Sequence, residues 1–262
     1  MHTKYTIRDI AKMAGVSAAT VSYVINNRED QRISEETKKK VLQIVNLLGY
    51  SPNPSAKSLA TNKTFHVALY LPREEYLYKR CEQLSMIEAL SDVLKEHEYH
   101  LVIISHEELV KIDYADAIVC FDDTADFFSE IGDKNFIPLI GLDLLTDTPF
   151  QIFFQICTDY RALKDHADAH FGTGNYTYVC LEPNNHGIRT LILDTFAHVC
   201  FAADGITLPD GNICYHQAGL RPLVGSAALR LPCDLHLKME QLYSCMELAL
   251  NRVPDHDHVV FV

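Results

Sequence analysis

The sequence predicts an α/β protein that begins with a small bundle of three helices and continues as a two-lobed core of parallel strands and helices. Two observations carry this prediction. Short helical patterns with clear capping residues fill the N-terminal part of the chain. From residue 64 onward, apolar runs typical of buried strands alternate with amphipathic helical patterns. That order indicates parallel sheets covered by helices on both faces.

The first helices are defined by their ends. Thr6 is expected to cap the first helix, because its hydroxyl can accept from the amide near Asp9 while the Asp9 carboxylate completes the cap. Gly15 is expected to end that helix, since glycine adopts the left-handed conformation without steric cost. Ser17 then caps the second helix and Ser34 caps the third. The bundle is therefore predicted to contain three short helices.

The second helix has two faces. Val21, Val24 and Ile25 form an apolar stripe that the core of the bundle can bury. The other side chains are expected to face away from that core: Ala18, Ala19, Ser22 and Tyr23.

Two prolines mark the end of the bundle. Pro52 and Pro54 disfavour helical backbone at the residues before them, and Pro54 suits the first position of a new helix capped by Asn53. The segment SAKSLA at 55–60 then forms a helix of one or two turns. Because helix nucleation is costly, so short a helix is expected to be disordered on its own.

Three blocks in register carry a resemblance to a known family: VSAATVSYVIN at 16–26, ISEETKKKV at 33–41 and GYSPNPSAKSLA at 49–60. They look like the headpiece of the LacI/GalR (lactose-repressor) family of transcription regulators. The resemblance implies a helix-turn-helix DNA-binding domain over residues 1–60, with a hinge helix at about 53–60. It further implies a homodimeric repressor that binds a pseudo-palindromic operator in double-stranded DNA.

The resemblance also assigns roles to individual residues, because the family's second helix enters the major groove. Base edges are expected to be read by Ala18, Ala19 and Tyr23. Phosphate contacts are expected from Thr6, Ser17, Thr20, Ser22, Asn26 and Asn53. The minor groove is expected to be contacted by the hinge residues Ala56, Lys57 and Leu59, with Leu59 as a wedge between base pairs.

Some of these roles have ordinary alternatives. Thr6 and Ser17 act as helix caps in either case, and Leu59 could pack against the core as a linker residue. The base-reading set also departs from the family, whose best-known members carry longer polar side chains there. Two alanines offer methyl contacts alone, and a tyrosine hydroxyl offers a single hydrogen bond. The operator sequence of a relative therefore cannot be transferred to this chain.

Charge divides the chain in agreement with a DNA-binding head. Residues 1–60 contain nine basic and five acidic residues, which leaves a net charge of +4 on the head and −16 on the remainder of a chain whose total is −12. A positive head can approach phosphates, whereas an acidic body is repelled by them. The run Lys38 to Lys40 is interpreted as a solvated helix surface rather than as a set of base contacts.

The core is predicted to span residues 64–262, with an N-lobe at about 64–160 and a C-lobe at about 161–262. Strands are expected in the apolar runs at 65–72, 99–104, 116–121, 136–143, 175–181 and 258–262. The resemblance implies a periplasmic-binding-protein-like core, with dimer contacts and an effector cleft between its lobes. Since the family's chain continues beyond the strand HVVFV, the C-lobe is expected to be truncated, with an unprotected sheet edge.

The effector cleft has three candidate residues: Asp143, Asp159 and Arg189. The aspartates could instead be turn or cap residues, and the arginine could be an ordinary surface residue. Ile192 occupies the place where the family usually has an arginine that grips the effector. Two outcomes stay open, namely control by a small sugar or related metabolite and repression that no ligand controls.

Other chemistries find little support in the sequence. His166 and His170, with Asp165 and Asp168 beside them, could share one helix face with a metal, but a surface role is the preferred interpretation. The eight cysteines form no CxxC and indicate reduced thiols. Because the sequence shows no phosphate loop, nucleophile elbow or paired catalytic carboxylates, neither an enzyme nor a cofactor or metal is expected.

The expected location is the cytoplasm, since the sequence shows no membrane-spanning run and no secretion signal. One rival function remains beside the repressor, namely a sugar- or protein-binding module whose DNA-binding head is vestigial.

Overall fold

The computed structural model describes residues 5–25, 32–48, 63–104, 106, 109–146, 153–203, 205–253 and 257–262. The chain divides into two compact units, Met1–Lys63 and Thr64–Val262. The first unit contains the helices α1 (Ile7–Ala14), α2 (Ala18–Ile25) and α3 (Glu35–Leu47). Its core contains Ile10, Val21 and Val41, each with no solvent exposure. The predicted three-helix head is therefore confirmed.

The second unit alternates strands and helices along the chain. Its strands are β1 (His66–Tyr70), β2 (His100–Ile104), β3 (Ala117–Phe121), β4 (Leu139–Leu142), β5 (Phe153–Cys157), β6 (Thr177–Leu181), β7 (Val199–Ala202), β8 (Ile213–Tyr215), β9 (Leu229–Arg230) and β10 (Val259–Phe261). Its helices are α4 (Leu77–Glu96), α5 (Ala125–Lys134), α6 (Tyr160–Phe171), α7 (His186–Thr195), the short α8 (Arg221–Val224) and α9 (Leu235–Leu250).

These strands build two sheets, which define two lobes. The first sheet has the order β10-β5-β4-β3-β1-β2, and the second has the order β7-β6-β8-β9. Every strand pair in both sheets is parallel. The predicted two-lobed parallel α/β core is thus confirmed.

Both faces of the first sheet are covered, which explains why its strands are apolar throughout rather than alternating. On β1, Val67 and Leu69 pack against α4 and α9, whereas Ala68 and Tyr70 point to the opposite face, where α5 packs. All four side chains have no solvent exposure.

The last strand lies in a different lobe from the one that the sequence suggested. The sequence placed HVVFV at the end of the C-lobe, but β10 pairs with β5 in the first sheet, with Val259 opposite Gln155. The preceding helix explains this return, because α9 buries Met239 and Leu242 in the core of the first lobe. The first lobe is therefore formed by two separate parts of the chain.

Smaller differences concern helix faces and ends. The helical spacing of Leu84, Ile87 and Leu90 favours a buried face that includes Leu84, but Leu84 is 55% exposed and Met86 is buried instead. The apolar spacing that begins at Ile188 favours a helix through Val199, but the helix ends at Thr195 and Val199 begins β7. Even α4, with 20 residues the longest described helix, is too polar to cross a bilayer, and the same holds for the other described helices.

Candidate nucleic-acid interface and interlobe cavity

The start of α1 is fixed by a reciprocal cap. Thr6 N donates to Asp9 Oδ2 at 2.8 Å, and Asp9 N donates to Thr6 Oγ1 at 3.4 Å. The hydrogen bonds that the Asp9 carboxylate accepts from the Thr6 backbone N and, at 2.7 Å, from Thr6 Oγ1 hold the pKa of Asp9 below its usual value. Gly15 ends the helix with a φ of 72°, in the left-handed region. The predicted first helix and its turn are confirmed.

The start of α2 carries two hydroxyl groups. Ser17 Oγ accepts from Thr20 N at 3.0 Å and lies 2.9 Å from Thr20 Oγ1. Ser17 is therefore the predicted cap. The first turn of a helix also presents amide groups and positive potential, which suit an anion such as a phosphate. The contacts of these hydroxyl groups with DNA remain predictions.

The two faces of α2 follow the sequence pattern with one exception. Val21 and Val24 are buried in the core of the head, whereas Ala19 is exposed and Tyr23 is partly exposed. Ala18 was expected to face away from the core, but it is partly buried and packs against it. Ala19 and Tyr23 are thus the more accessible members of the base-reading set.

Several residues assigned to DNA lie outside the residues that the structure describes. These are the phosphate candidates Asn26 and Asn53 and the hinge residues Ala56, Lys57 and Leu59.

The second unit contains a cavity at the carboxyl ends of strands from both lobes. The first lobe contributes Asp122 after β3, Asp143 after β4 and Thr158 after β5, while the second contributes Glu182 after β6 and His216 after β8. Parallel strands bring their carboxyl ends to one edge of a sheet, which is where ligands of open α/β proteins bind. The cavity is therefore a candidate ligand site.

A buried ion pair forms part of the cavity wall. Lys238, on α9, places its ammonium 2.6 Å from both carboxylate oxygens of Asp143 and 2.8 Å from Thr158 Oγ1. The Lys238 side chain is 3% exposed and that of Asp143 is 23% exposed. The ammonium group is hydrogen-bonded to the carboxylate and to the Thr158 hydroxyl. These bonds offset the free-energy cost of burying the two charges.

Two carboxyl groups and one histidine of the cavity have pKa values shifted by burial. Burial, assisted by repulsion from Asp143, raises the pKa of Glu82 to about 7. Burial likewise raises the pKa of Asp122 to about 7. Burial lowers the pKa of His216 to about 4, and its Nδ1 lies 2.7 Å from the Tyr178 hydroxyl. Glu82 and Asp122 therefore titrate near neutral pH, whereas His216 is neutral there.

Of the three expected cleft residues, Asp143 lines the cavity and the other two do not. Asp159 caps α6, accepting from Arg161 N and Ala162 N at 3.0 Å each. Arg189 donates to Glu182 at 3.0 Å and places its guanidinium 4.9 Å from the ring centre of Phe201. Ile192, in the place of the family's arginine, lines the cavity.

Sequence reasoning missed Lys238, although its spacing held a signal. Leu235, Met239 and Leu242 mark the buried face of α9, and Lys238 lies on that same face. A lysine among apolar positions at helical spacing indicates a buried charge that needs an acidic partner. Glu82, on α4, and His216, after β8, carried no comparable signal, because their roles depend on which helix and strand end the fold brings together.

The possible metal pair is not assembled into a cluster. Asp168 bonds to Lys164 and, at 2.7 Å, to the Tyr176 hydroxyl. Within the described part of the chain, no three potential ligands lie close enough together to hold a metal.

Comparison with known proteins matches residues 6–53 to the family described as bacterial regulatory proteins, lacI family. Catabolite control protein A of Streptococcus mutans is 36% identical over 103 residues, which cover 39% of this chain and 29% of that protein. The HTH-type transcriptional repressor PurR of Photobacterium profundum is 29% identical over 157 residues, covering 55% of this chain and 45% of that protein. The chain therefore aligns with less than half the length of either relative.

Solved structures show the same fold. The lac repressor bound to ONPG in its repressed state has a TM-score of 0.59 at 14% identity, covering 99% of this chain and 97% of that one. The lac repressor dimer bound to operator and the anti-inducer ONPF has a TM-score of 0.56 at 13% identity, with coverages of 99% and 96%. Together, these comparisons show that residues 6–53 match the lacI family of bacterial regulatory proteins and that the two-lobed parallel core has the fold of the lac repressor structures.

Proposed function

We propose that this chain is a sequence-specific DNA-binding transcriptional regulator, acting as a repressor on a pseudo-palindromic operator and binding it as a homodimer. The observation that carries the proposal is the capped helix-turn-helix at residues 6–25, which lies within the segment matched to the family model. The relatives named above are a control protein and a repressor, and neither is described as an enzyme.

In this proposal α2 lies in the major groove. Ala19 and Tyr23 are accessible and read base edges, with Ala18 closer to the core of the head. The Ala19 methyl group can make an apolar contact with a thymine methyl group, and the Tyr23 hydroxyl can form one hydrogen bond with a base edge. Phosphates are held by the hydroxyl groups near the helix starts and by the hinge-side amides: Thr6, Ser17, Thr20, Ser22, Asn26 and Asn53.

The hinge is proposed to act in the minor groove. Lys57 supplies a positive charge, Ala56 allows close approach, and Leu59 inserts between base pairs and kinks the duplex. Two hinges act as a pair, which is the reason for expecting a dimer and a pseudo-palindromic operator.

We further propose that the interlobe cavity binds a small polar effector such as a sugar. Carboxylate, hydroxyl and ammonium groups from both lobes converge there, which suits a ligand rich in hydroxyl groups. A related fold, with a TM-score of 0.53 and 12% identity over 98% of this chain and 97% of that one, is the transcriptional regulator CelR in complex with cellobiose. Because Ile192 replaces the family's arginine, recognition here relies on Asp143 and Lys238 instead.

The test is selection of bound sequences from a random pool of duplex DNA by the full chain, followed by salt titration on the enriched sequence. We expect the selected DNA to be enriched in a sequence with two-fold symmetry, and the affinity for that sequence to fall steeply as the salt concentration rises. The variant Tyr23→Ala should lose the preference, whereas Tyr114→Ala, an exposed tyrosine of the acidic unit, should keep it. Recovery of no preferred sequence, with little salt dependence, would instead favour the binding module with a vestigial head.

A further inference from the structure

The turn between β6 and α7 joins the two lobes through Asn184. The Asn184 side chain accepts from Lys79 Nζ at 2.7 Å and donates to Glu74 Oε1 at 2.6 Å. Since lysine can only donate and a carboxylate can only accept, both bonds fix the orientation of the amide. The Asn184 backbone N donates to Asp122 Oδ1 at 2.8 Å. One residue of the second lobe is thus held by three charged side chains of the first.

Asn185 extends the connection on the buried side of the same turn. Its Nδ2 donates to the Asp123 carbonyl at 2.9 Å, and its Oδ1 accepts from Leu145 N at 3.0 Å. The same Oδ1 caps α7 by accepting from Ile188 N at 2.9 Å. Asn185 has no solvent exposure, so a single side chain both starts a helix of the second lobe and binds the first lobe.

The backbone approaches closely at this point. A Cβ atom on Gly187 would lie 2.5 Å from the Leu145 carbonyl oxygen, a contact that backbone atoms cannot relieve without moving. Hydrogen bonding and close packing therefore coincide at the junction of the lobes.

The first-lobe side of this junction belongs to the cavity wall. Glu74, Lys79 and Asp122 all line the cavity, and their side chains are 13%, 13% and 16% exposed. Asn184 itself is exposed, but its partners are ionisable side chains, and hydrogen bonds to charged groups are stronger than those between neutral groups. Every hydrogen bond of the junction described here joins groups of the chain itself.

We propose that the Asn184–Asn185 turn is a latch that holds the lobes closed over the cavity, so that opening of this turn regulates entry to the cavity. The inference rests on the proposed function in one respect, that the cavity is the effector site. Opening must break the bonds of Asn184 to Glu74, Lys79 and Asp122 while leaving the cores of both lobes intact.

The cysteines of the chain provide a direct measurement of opening. Cys180 and Cys233 line the cavity, Cys245 is 1% exposed in the core of the first lobe, and Cys81 is exposed. Alkylation by iodoacetamide, followed residue by residue with mass spectrometry, compares the full chain with Asn184→Ala. The matched control is Asn212→Ala, an asparagine of the second lobe whose amide bonds to Asn175 within that lobe.

If the turn is a latch, iodoacetamide should alkylate Cys180 and Cys233 at least about tenfold faster in Asn184→Ala than in the parent chain. This is the factor expected from losing hydrogen bonds to charged partners. The rate at Cys245 should stay unchanged, as should all rates in Asn212→Ala. Unchanged rates at Cys180 and Cys233 would overturn the proposal.

If Asn184→Ala unfolds the protein, the alkylation rate at Cys245 will rise as well. In that case Lys79→Met provides the test, because it removes the first-lobe side chain that donates to Asn184. Acceleration confined to the cavity cysteines in Lys79→Met supports the latch, and any other pattern rejects it. Neither measurement uses DNA, so failure of the latch can be told apart from failure of the proposed function.

Discussion

Lys238 and Asp143 form a two-oxygen ion pair at the wall of the interlobe cavity, with 2.6 Å between the ammonium and each carboxylate oxygen. The partners are far apart in sequence, one on α9 and the other after β4. Asp143 adopts a φ of 48°, uncommon for a residue other than glycine, and this backbone conformation directs its carboxylate. The ion pair connects α9 to the carboxyl end of β4 in the first sheet. It therefore stabilises the fold and also forms part of the cavity wall.

Replacing Lys238 by Met should destabilise the protein strongly. Loss of one partner leaves Asp143 without its counter-charge, and breaking a largely buried pair in this way costs about 2–4 kcal/mol. The free energy of unfolding in urea provides the measurement. Lys164→Met is the control, since Lys164 pairs with Asp168 on a helix surface and its side chain is 32% exposed, for which about 0–0.5 kcal/mol is expected. Equal losses in the two variants would contradict the structural role assigned to the buried pair.

Glu82→Gln should change how stability depends on pH. The pKa of Glu82 is raised from 4.5 to about 7, mainly by burial, so the folded protein keeps this proton where the unfolded chain has lost it. The stability that comes from tighter proton binding by folded Glu82 is fully present below pH 4.5 and is lost as the pH rises through about 7. The variant lacks this loss, so its stability relative to the parent should increase from pH 5 to pH 8.

Chemical denaturation at several pH values measures that difference. Asp122 acts in the same direction and His216 in the opposite one, and both contributions largely cancel between parent and variant. Glu88→Gln, at an exposed position of α4, is the matched control and should show no such trend. A flat difference for Glu82→Gln would mean that this carboxyl is well solvated.

Gly187→Ala should lower stability through a steric clash at the junction of the lobes. The new methyl carbon would lie 2.5 Å from the Leu145 carbonyl oxygen, and relief requires a backbone shift that costs about 1–3 kcal/mol. For a protein of this size, thermal denaturation should show a midpoint lowered by about 2–4 °C per kcal/mol. Gly219→Ala tests the effect of the substitution itself, since its methyl carbon would lie 3.5 Å from Cys81 Cβ, an ordinary contact. Similar midpoints for the two variants would argue against a tight junction.

Leu59→Ala tests the hinge, which lies outside the described residues. A side chain that wedges between base pairs contributes to specific binding, in which the duplex is kinked, and contributes little to non-specific contacts with phosphates. Specific affinity should fall by about tenfold or more, with non-specific affinity and its salt dependence nearly unchanged. Leu193→Ala, at an exposed position of α7, is the control and should bind as the parent does. Equal losses in specific and non-specific binding by Leu59→Ala would exclude a wedge.

The sequence predicted features that depend on nearby residues. The caps at Thr6, Ser17 and Ser34, the glycine turn and the long helix Leu235–Leu250 follow from local hydrogen bonding and helical periodicity, and the structure has all of them. The apolar runs likewise predicted β1, β3 and β6. Local sequence patterns were sufficient to predict an element wherever the hydrogen bonds that define it come from residues of the same segment.

Features that depend on distant segments were not predictable in the same way. The pairing of β10 with β5 joins residues about a hundred positions apart, and periodicity contains no information about which sheet a strand enters. The cavity residues Glu82 and His216 became recognisable only once strand order had placed them together. Asp159 and Arg189 were assigned to the cleft from the family's pattern, but local partners, the α6 amides and Glu182, hold them elsewhere.

The return of β10 to the first sheet has a consequence for the order in which the protein is made. Translation proceeds from the N-terminus, so the strands of the second lobe, β6 to β9, are complete before residues 259–261 leave the ribosome. The second lobe is continuous in sequence and can form early, whereas the first must wait with β5 lacking its neighbour. During that interval, an unpaired strand edge is available to other chains, and slow synthesis, which lengthens the interval, should therefore favour aggregation over folding.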